Sequence, residues 1–174
     1  CIRDRYGRSA EGDFMIGFQT ENEAVVRKGF TLLQKTFNIE TKIFVRENSH
    51  LKRVKVYTIE ITDPEEIQVI FQALRLVTNS IDQGTLVLSD MLVVQQNCCK
   101  RAFIRGAFLA SGSISDPEKG YHFEIVCSDA KRAEQLQTII RSFSVDAKIV
   151  QRKKSHVVYV KEGAQIVDML AVME

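Results

Sequence analysis

Apolar residues recur along this chain with two periods, and the periods alternate. In residues 13–20 (DFMIGFQT), Phe14, Ile16 and Phe18 fall on every second position, which predicts a strand. Val26, Phe30, Leu33 and Phe37 then recur at steps of four, three and four, the stripe of an amphipathic helix. TENE before that stripe reads as a capping box, Thr20 with Glu23, and Asn38 ends the helix. Two β-rich runs, 40–46 and 53–62, are joined by ENSHLK and predict a hairpin. Asp63-Pro64-Glu65-Glu66 is a strong helix start, with Ile67, Ile70, Phe71 and Leu74 as the face to be buried. Residues 76–97 form a connection, with a strand-like stretch near 85–88, a helix after Ser89, and Asn97 separating it from the next helix.

The pattern then starts again. Residues 101–115 (RAFIRGAFLASGSIS) place Ala102, Gly106 and Ala110 four apart, on one helix face where another backbone can come close. Glycine inside a helix costs about 1 kcal/mol relative to alanine, so Gly106 asks for such a packing reason. Gly112 is expected to end the helix in a left-handed conformation, with a turn over 113–120 around Pro117. A strand follows at 121–128, and Ser128 is expected to cap a helix whose first-turn acid is Asp129. That helix carries the stripe Ala133, Leu136, Ile140 and Phe143. A hairpin at 147–152 and 156–161 turns at Lys153, Lys154 and Ser155, and a closing helix covers 164–172, with Ile166, Val167 and Leu170 apolar. The segments match in pairs at offsets of 106 to 108: NIETKIFVR with SVDAKIVQR, LLQKTF with IIRSF, FQTENE with VCSDAK. The expected class is therefore α/β, a duplicated helix-strand-hairpin-helix unit with pseudo-two-fold symmetry. Half-repeat 1 covers about 7–76, the connection 77–97 and half-repeat 2 98–174. In this register Gly7 matches Gly112, and residues 1–6 stand where the first small-residue helix should end.

Composition narrows the function. The 174 residues carry a formal charge of only +2, so any nucleic-acid role rests on local patches. Cys1, Cys98, Cys99 and Cys127 have no CxxC spacing and three histidines to help, which argues against zinc and fits a reduced, cytoplasmic setting. No apolar run is long enough to span a membrane. CIRDRYG lacks an initiator Met and the chain stops at AVME, so a fragment with non-native first residues is expected.

The candidate chemistry is a set of cations. The first hairpin carries Lys42, Arg46, Lys52, Arg53 and Lys55, with Glu47 the acid among them. The second carries Lys148, Arg152, Lys153, Lys154 and Lys161, with no acid from Ala147 to Val160. Lysines at a hairpin tip are commonly just solvated. Two hairpins related by a repeat and matching in charge point instead to duplex DNA. Cys98-Cys99 reads as packing, and His122 with Glu124 share a strand face without a third partner. There is no Gly-rich phosphate loop and no cofactor motif.

These residues carry a resemblance. A duplicated unit opened by a small-residue helix resembles the LAGLIDADG homing endonucleases, whose nine motif letters fall on 104–112 (IRGAFLASG). CCKRAFIRGAFLASGSISDP followed by YHFEI is similar, more narrowly, to the WhiA regulators of bacteria, which keep that fold without nuclease activity. The resemblance covers roughly 7–174. It implies a saddle of hairpins over a duplex and a helix-turn-helix domain beyond this stretch. It also implies roles in transcription regulation, cell division, chromosome segregation and sporulation, with a nucleoid location and regulatory proteins as further candidate partners. The nucleases hold divalent metal with an acid at the eighth motif position. Here that position is Ser111, matched in the first unit by Tyr6, so no catalytic residue and no metal are expected. An active or degenerate homing endonuclease, and an interaction module whose DNA binding lies elsewhere, are the competing readings.

Overall fold

The structure, a computed structural model, describes residues 3–8, 14–48, 54–78, 86–88, 92–116, 118 and 120–174. The chain forms two compact units, Cys1–Val93 and Val94–Glu174. Unit 1 runs β1 (Arg3–Arg8), β2 (Phe14–Thr20), α1 (Glu23–Phe37), β3 (Ile43–Asn48), β4 (Val54–Ile61) and α2 (Pro64–Leu74), then a small pair, β5 (Leu76–Thr78) and β6 (Leu86–Leu88). A 3₁₀ turn, Leu92–Val94, stands at the boundary, where a helix after Ser89 was expected. Unit 2 runs α3 (Asn97–Ser111), β7 (Gly112–Ile114), β8 (Phe123–Cys127), α4 (Ala130–Arg141), β9 (Lys148–Arg152), β10 (Ser155–Val160) and α5 (Gly163–Met173). Asn97 thus opens α3 instead of separating it from a helix before it.

The duplication is visible in the ladders. The strand orders are β1-β2-β4-β3 and β7-β8-β10-β9, all antiparallel. Ile43 pairs with Ile59 and Ile59 with Phe18; Ile149 pairs with Val158 and Val158 with Ile125. Lys42-Ile43 is therefore equivalent to Lys148-Ile149, as the repeat predicts. The same ladders correct the start of the chain. Asp4 lies opposite Phe18 as Gly112 lies opposite Ile125, so Gly112 corresponds to Asp4 and not Gly7, and Ser111 to Arg3 and not Tyr6. Residues 3–6 are not a helix end, because they are already paired into β1.

Several helix ends differ from expectation for local reasons. Thr20 stays in β2, 2% exposed, and Asn22 caps α1 by accepting from the backbone N–H groups of Ala24 and Val25. Asn38 ends that helix in the left-handed region, φ 57°. Asp63 caps α2 and Pro64 opens it as predicted. Asp129, not Ser128, caps α4, because its carboxylate reaches the Arg132 N–H at 2.9 Å. Gly112 is extended (φ −81°, ψ 154°), since α3 passes straight into β7 and takes Ser113 and Ile114 with it out of the expected turn. Its missing Cβ leaves room for the Phe108 ring. Pro117 and residue 13 lie outside the described residues.

The cores follow the alternation. In unit 1 Ile16, Ile39, Ile61, Ile67 and Ile70 cluster, with Leu33, Phe37 and Phe71 packed against them, while Leu74 turns outward. In unit 2 Phe123, Ile125, Val158 and Val160 are buried with Ala133, Leu136, Ile139, Ile140, Ile104, Ile166 and Met169. Phe143 lies beyond the end of α4, and the Arg101 guanidinium sits 5.8 Å from its ring centroid. Arg101 also donates to the Ala171 carbonyl (3.2 Å) and Arg105 to that of Glu174 (3.4 Å), so two α3 cations serve the carboxyl end of α5. Of the apolar residues of α5, Ile166 is buried while Val167 and Leu170 are exposed. Phe123 is 1% exposed and stacks on Phe108 at 5.1 Å. Phe123→Ala should lower the unfolding free energy by about 3–5 kcal/mol, read as a fall in urea midpoint at unchanged slope. A midpoint equal to that of the parent would contradict this packing.

Candidate nucleic-acid interface

A strand turns alternate side chains to opposite faces, and in each unit the phase that holds most of the buried apolar residues is read as the face the helices cover. In unit 2 that face holds Phe123, Ile125, Ile149, Val158 and Val160. The opposite phase, on the helix-free face, is Ser113, Glu124, Val126, Lys148, Val150, Arg152, Val157 and Tyr159, of which Val157 on β10 is 2% exposed. In unit 1 the same reasoning places Gly17, Gln19, Phe44, Arg46, Thr58 and Glu60 on the other side, where Thr58 and Met15 are nonetheless buried. Arg46 thus occupies the ladder position of Arg152, while Lys42 stands just before β3, next to Ile43 as Lys148 is next to Ile149. Phe44, Val126 and Val150 are exposed beside these cations.

Lys55 is different. It pairs in register with Glu47, in phase with Ile43 and Ile59, and its ammonium lies 3.8 Å from the Glu47 carboxylate. It belongs to the helix-side phase and does not join Arg46. Lys52 and Arg53 lie outside the described residues. Lys153 and Lys154 form a two-residue turn, with Lys153 at φ 55°, the positive φ that so short a hairpin demands. Both are exposed.

The helix-free face of unit 2 is less basic than the spacing suggested. Counting acids along the hairpin missed two that the fold brings in. Asp146 lies 3.6 Å from Lys148 and 3.7 Å from Arg141. Glu124, on β8, accepts from Arg152 Nη1 at 2.9 Å and lies 2.8 Å from His122 Nε2, while Ser113 Oγ donates to its other oxygen at 3.4 Å. His122 and Glu124 do have a third partner, and it is Arg152. The phase of Glu124, opposite to Phe123 and Ile125, was the available signal. Arg152 pairs with Ser155 beside the turn, whereas Glu124 pairs with Tyr159 four residues further along β10. The ion pair therefore draws the guanidinium back over the sheet, where it lines a shallow depression with His122, Val150, Tyr159 and Lys161. Lys161 sits 5.3 Å from the Tyr159 ring centroid.

On α3, the small-residue stripe does not do what was expected at its centre. Ala102 and Gly106 are exposed, and a Cβ at Gly106 would meet no atom within 4 Å. Ala110 is half-buried. The buried side of α3 is the Ile104 side. Cys98 and Cys99 stand in its first turn with sulfurs 3.9 Å apart. Burial pushes the Cys127 thiol of β8 up to about 11, so it stays protonated.

Family models match both units. The WhiA N-terminal LAGLIDADG-like domain matches residues 7–77 and the WhiA LAGLIDADG-like domain residues 100–174. A probable cell division protein WhiA of Lachnoclostridium phytofermentans is 54% identical over 159 residues, 91% of this chain and 51% of that protein. The chain belongs to the WhiA family. It spans about half the length of the curated WhiA relatives it matches. Among solved structures, the N-terminal LAGLIDADG domain of a WhiA protein matches with TM-score 0.67 at 18% identity, covering 98% of this chain and 74% of that one. The homing endonuclease I-DmoI, in complex with DNA and Mn, matches with TM-score 0.66 at 10% identity, covering 98% and 88%. At these identities the likeness is one of fold.

In this WhiA chain the eighth motif position, Ser111, donates its hydroxyl to the Val126 carbonyl at 2.6 Å. That hydroxyl is committed to joining α3 to β8. Among the described residues no three His, Cys, Asp or Glu side chains gather as a metal site, and no helix is long and apolar enough to cross a membrane.

The His122 hydrogen bond, helped by the Arg152 charge, holds the Glu124 carboxyl below its ordinary value. A carboxylate held low in the folded state stabilises the fold above the ordinary carboxylate range, and the contribution is lost as pH falls through the lowered value. Glu124→Gln should therefore flatten the acid limb of stability, measured by urea unfolding from about pH 7 to about pH 3. An acid limb as steep as the parent's would show that the cluster carries no such linkage.

Proposed function

We propose that this chain is a non-cleaving, DNA-contacting part of a WhiA-type regulator, acting in cell division and, as the family resemblance implies, in chromosome segregation and sporulation. The observation that carries this is the recurrence of cations in the two hairpins, Arg46 at the ladder position of Arg152 and Lys42 just before β3 where Lys148 opens β9. Antiparallel ribbons fit the major groove, and Lys or Arg beside them neutralise phosphates. That I-DmoI, with the same fold, has been solved with DNA supports duplex as the ligand. Lys153, Lys154 and Lys161 extend the basic surface at the turn and beside Tyr159. A nucleoid location follows from this reading.

The absence of cleavage rests on Ser111. A neutral hydroxyl is a poor ligand for a hard cation, and this one is already used by Val126. The chain should leave supercoiled and linear duplex intact with magnesium or manganese, by gel assay. Metal-dependent cutting that vanished in Ser111→Ala would overturn the assignment in favour of a homing endonuclease.

One observation favours a second reading. Asp146 and Glu124 offset two of the cations, Lys148 and Arg152, which suits an interaction module with DNA binding elsewhere in the protein. A titration separates the two. The chain should bind duplex non-specifically with Kd of about 10⁻⁴–10⁻⁶ M at physiological salt. Changing Arg152, Lys153 and Lys154 together to Glu should abolish binding in fluorescence anisotropy at low salt, with the circular dichroism spectrum unchanged. Weaker single substitutions should reduce the slope of log K against log salt by about 0.9 per lost phosphate contact. A folded triple variant that bound as tightly as the parent would move the interaction module ahead.

A further inference from the structure

Arg152 and Arg46 occupy the same ladder position, but their surroundings differ. Glu124 stands beside the first. Its counterpart in unit 1 is Gly17, where an added Cβ would collide with the Ile59 carbonyl; the acid on that face of unit 1 is Glu60, opposite Gly17 at the ladder position of Tyr159. Arg152 is drawn across the sheet and bound through Nη1; among the described residues no ion pair to Arg46 is found. A carboxylate on a DNA-facing surface lowers affinity, because it cancels a cation and repels phosphate. Its value to such a surface is orientation. With Nη1 held, the guanidinium keeps its remaining N–H donors in one plane over the depression lined by Val150 and Tyr159. A guanidinium so fixed loses little rotamer freedom on binding. Both oxygens of Glu124 have donors, Arg152 and His122 on one and Ser113 on the other. The carboxylate is thus itself held in place.

We propose that Arg152 is a base-reading residue, fixed by Glu124 and His122 to donate to the major-groove edge of a guanine, while Arg46 and the turn lysines contact phosphate. This rests on the DNA-binding reading above and adds to it a sequence preference carried by unit 2. Arginine is the side chain whose paired donors match guanine O6 and N7; a lysine keeps the charge and loses the pairing. Glu124 is a positioning residue, and it acts on affinity and preference in opposite directions. Removing its charge makes the face more positive and strengthens binding to any duplex. It also frees Arg152 to swing, which weakens the preference.

The test uses the 174-residue chain and a pool of duplexes with a randomised centre. The chain should enrich guanine at a fixed position. Replacing that guanine by 7-deazaguanine, which lacks the N7 acceptor, should weaken binding roughly tenfold. Arg152→Lys should bring the ratio between the two duplexes close to one. Glu124→Gln should raise affinity for both duplexes while lowering their ratio, a split that simple loss of folding cannot produce. If binding stays salt-sensitive but no guanine is enriched, or Arg152→Lys keeps the preference, the inference fails and the DNA-binding reading stands. If the chain retains no duplex at low salt, both fail.

Discussion

Each sheet is covered by helices on one face, and the two-residue alternation of its strands decides what the other face presents. The apolar phase, Ile16, Ile59 and Ile61 in one unit and Phe123, Ile125 and Val158 in the other, is consumed by the core. A slip of one residue in either hairpin would exchange that phase for its opposite and turn Arg46, or Lys148 and Arg152, toward the core. The burial of isoleucine and phenylalanine on one side thus sets where the cations stand on the other. Core packing and the proposed DNA surface are two consequences of one register.

That register also explains why the halves are not interchangeable. Close approach of β2 to β4 at Gly17 excludes any side chain, while the equivalent Glu124 carries the most connected carboxylate of the second sheet among the described residues. The duplication supplies two arginines in one position, and one residue on the neighbouring strand gives them different constraints. Charge along the chain does not reveal this, since Glu124 is 28 positions from Arg152.

Most of the architecture was legible because local signals agreed with one another. Apart from Leu74 and Phe143, the helix stripes survived into the structure, as did Asp63-Pro64, Asn38 and the shared Lys-Ile pair. Errors came where two residues competed for one local role, as Thr20 with Asn22 and Ser128 with Asp129; backbone geometry, not residue type, chose between them. Gly112 misled because its glycine is needed for the Phe108 ring and not for a left-handed cap. The site was legible in its cations and illegible in its acids. Lysines and arginines gather within a hairpin and can be counted along it. Their partners sit on a neighbouring strand or just before the hairpin, and only strand order brings them together. The residue that opposes a helix end with a strand, in 3–6, has no period long enough to announce itself.

The central claim is that duplex DNA meets the helix-free faces. Photocrosslinking tests it directly, with benzoylphenylalanine placed singly at Phe44, at Val150 and at Val167, all exposed. Crosslinks to duplex from positions 44 and 150, and none from 167 on α5, are the expected result. Crosslinks from 167 with none from 44 or 150 would contradict it.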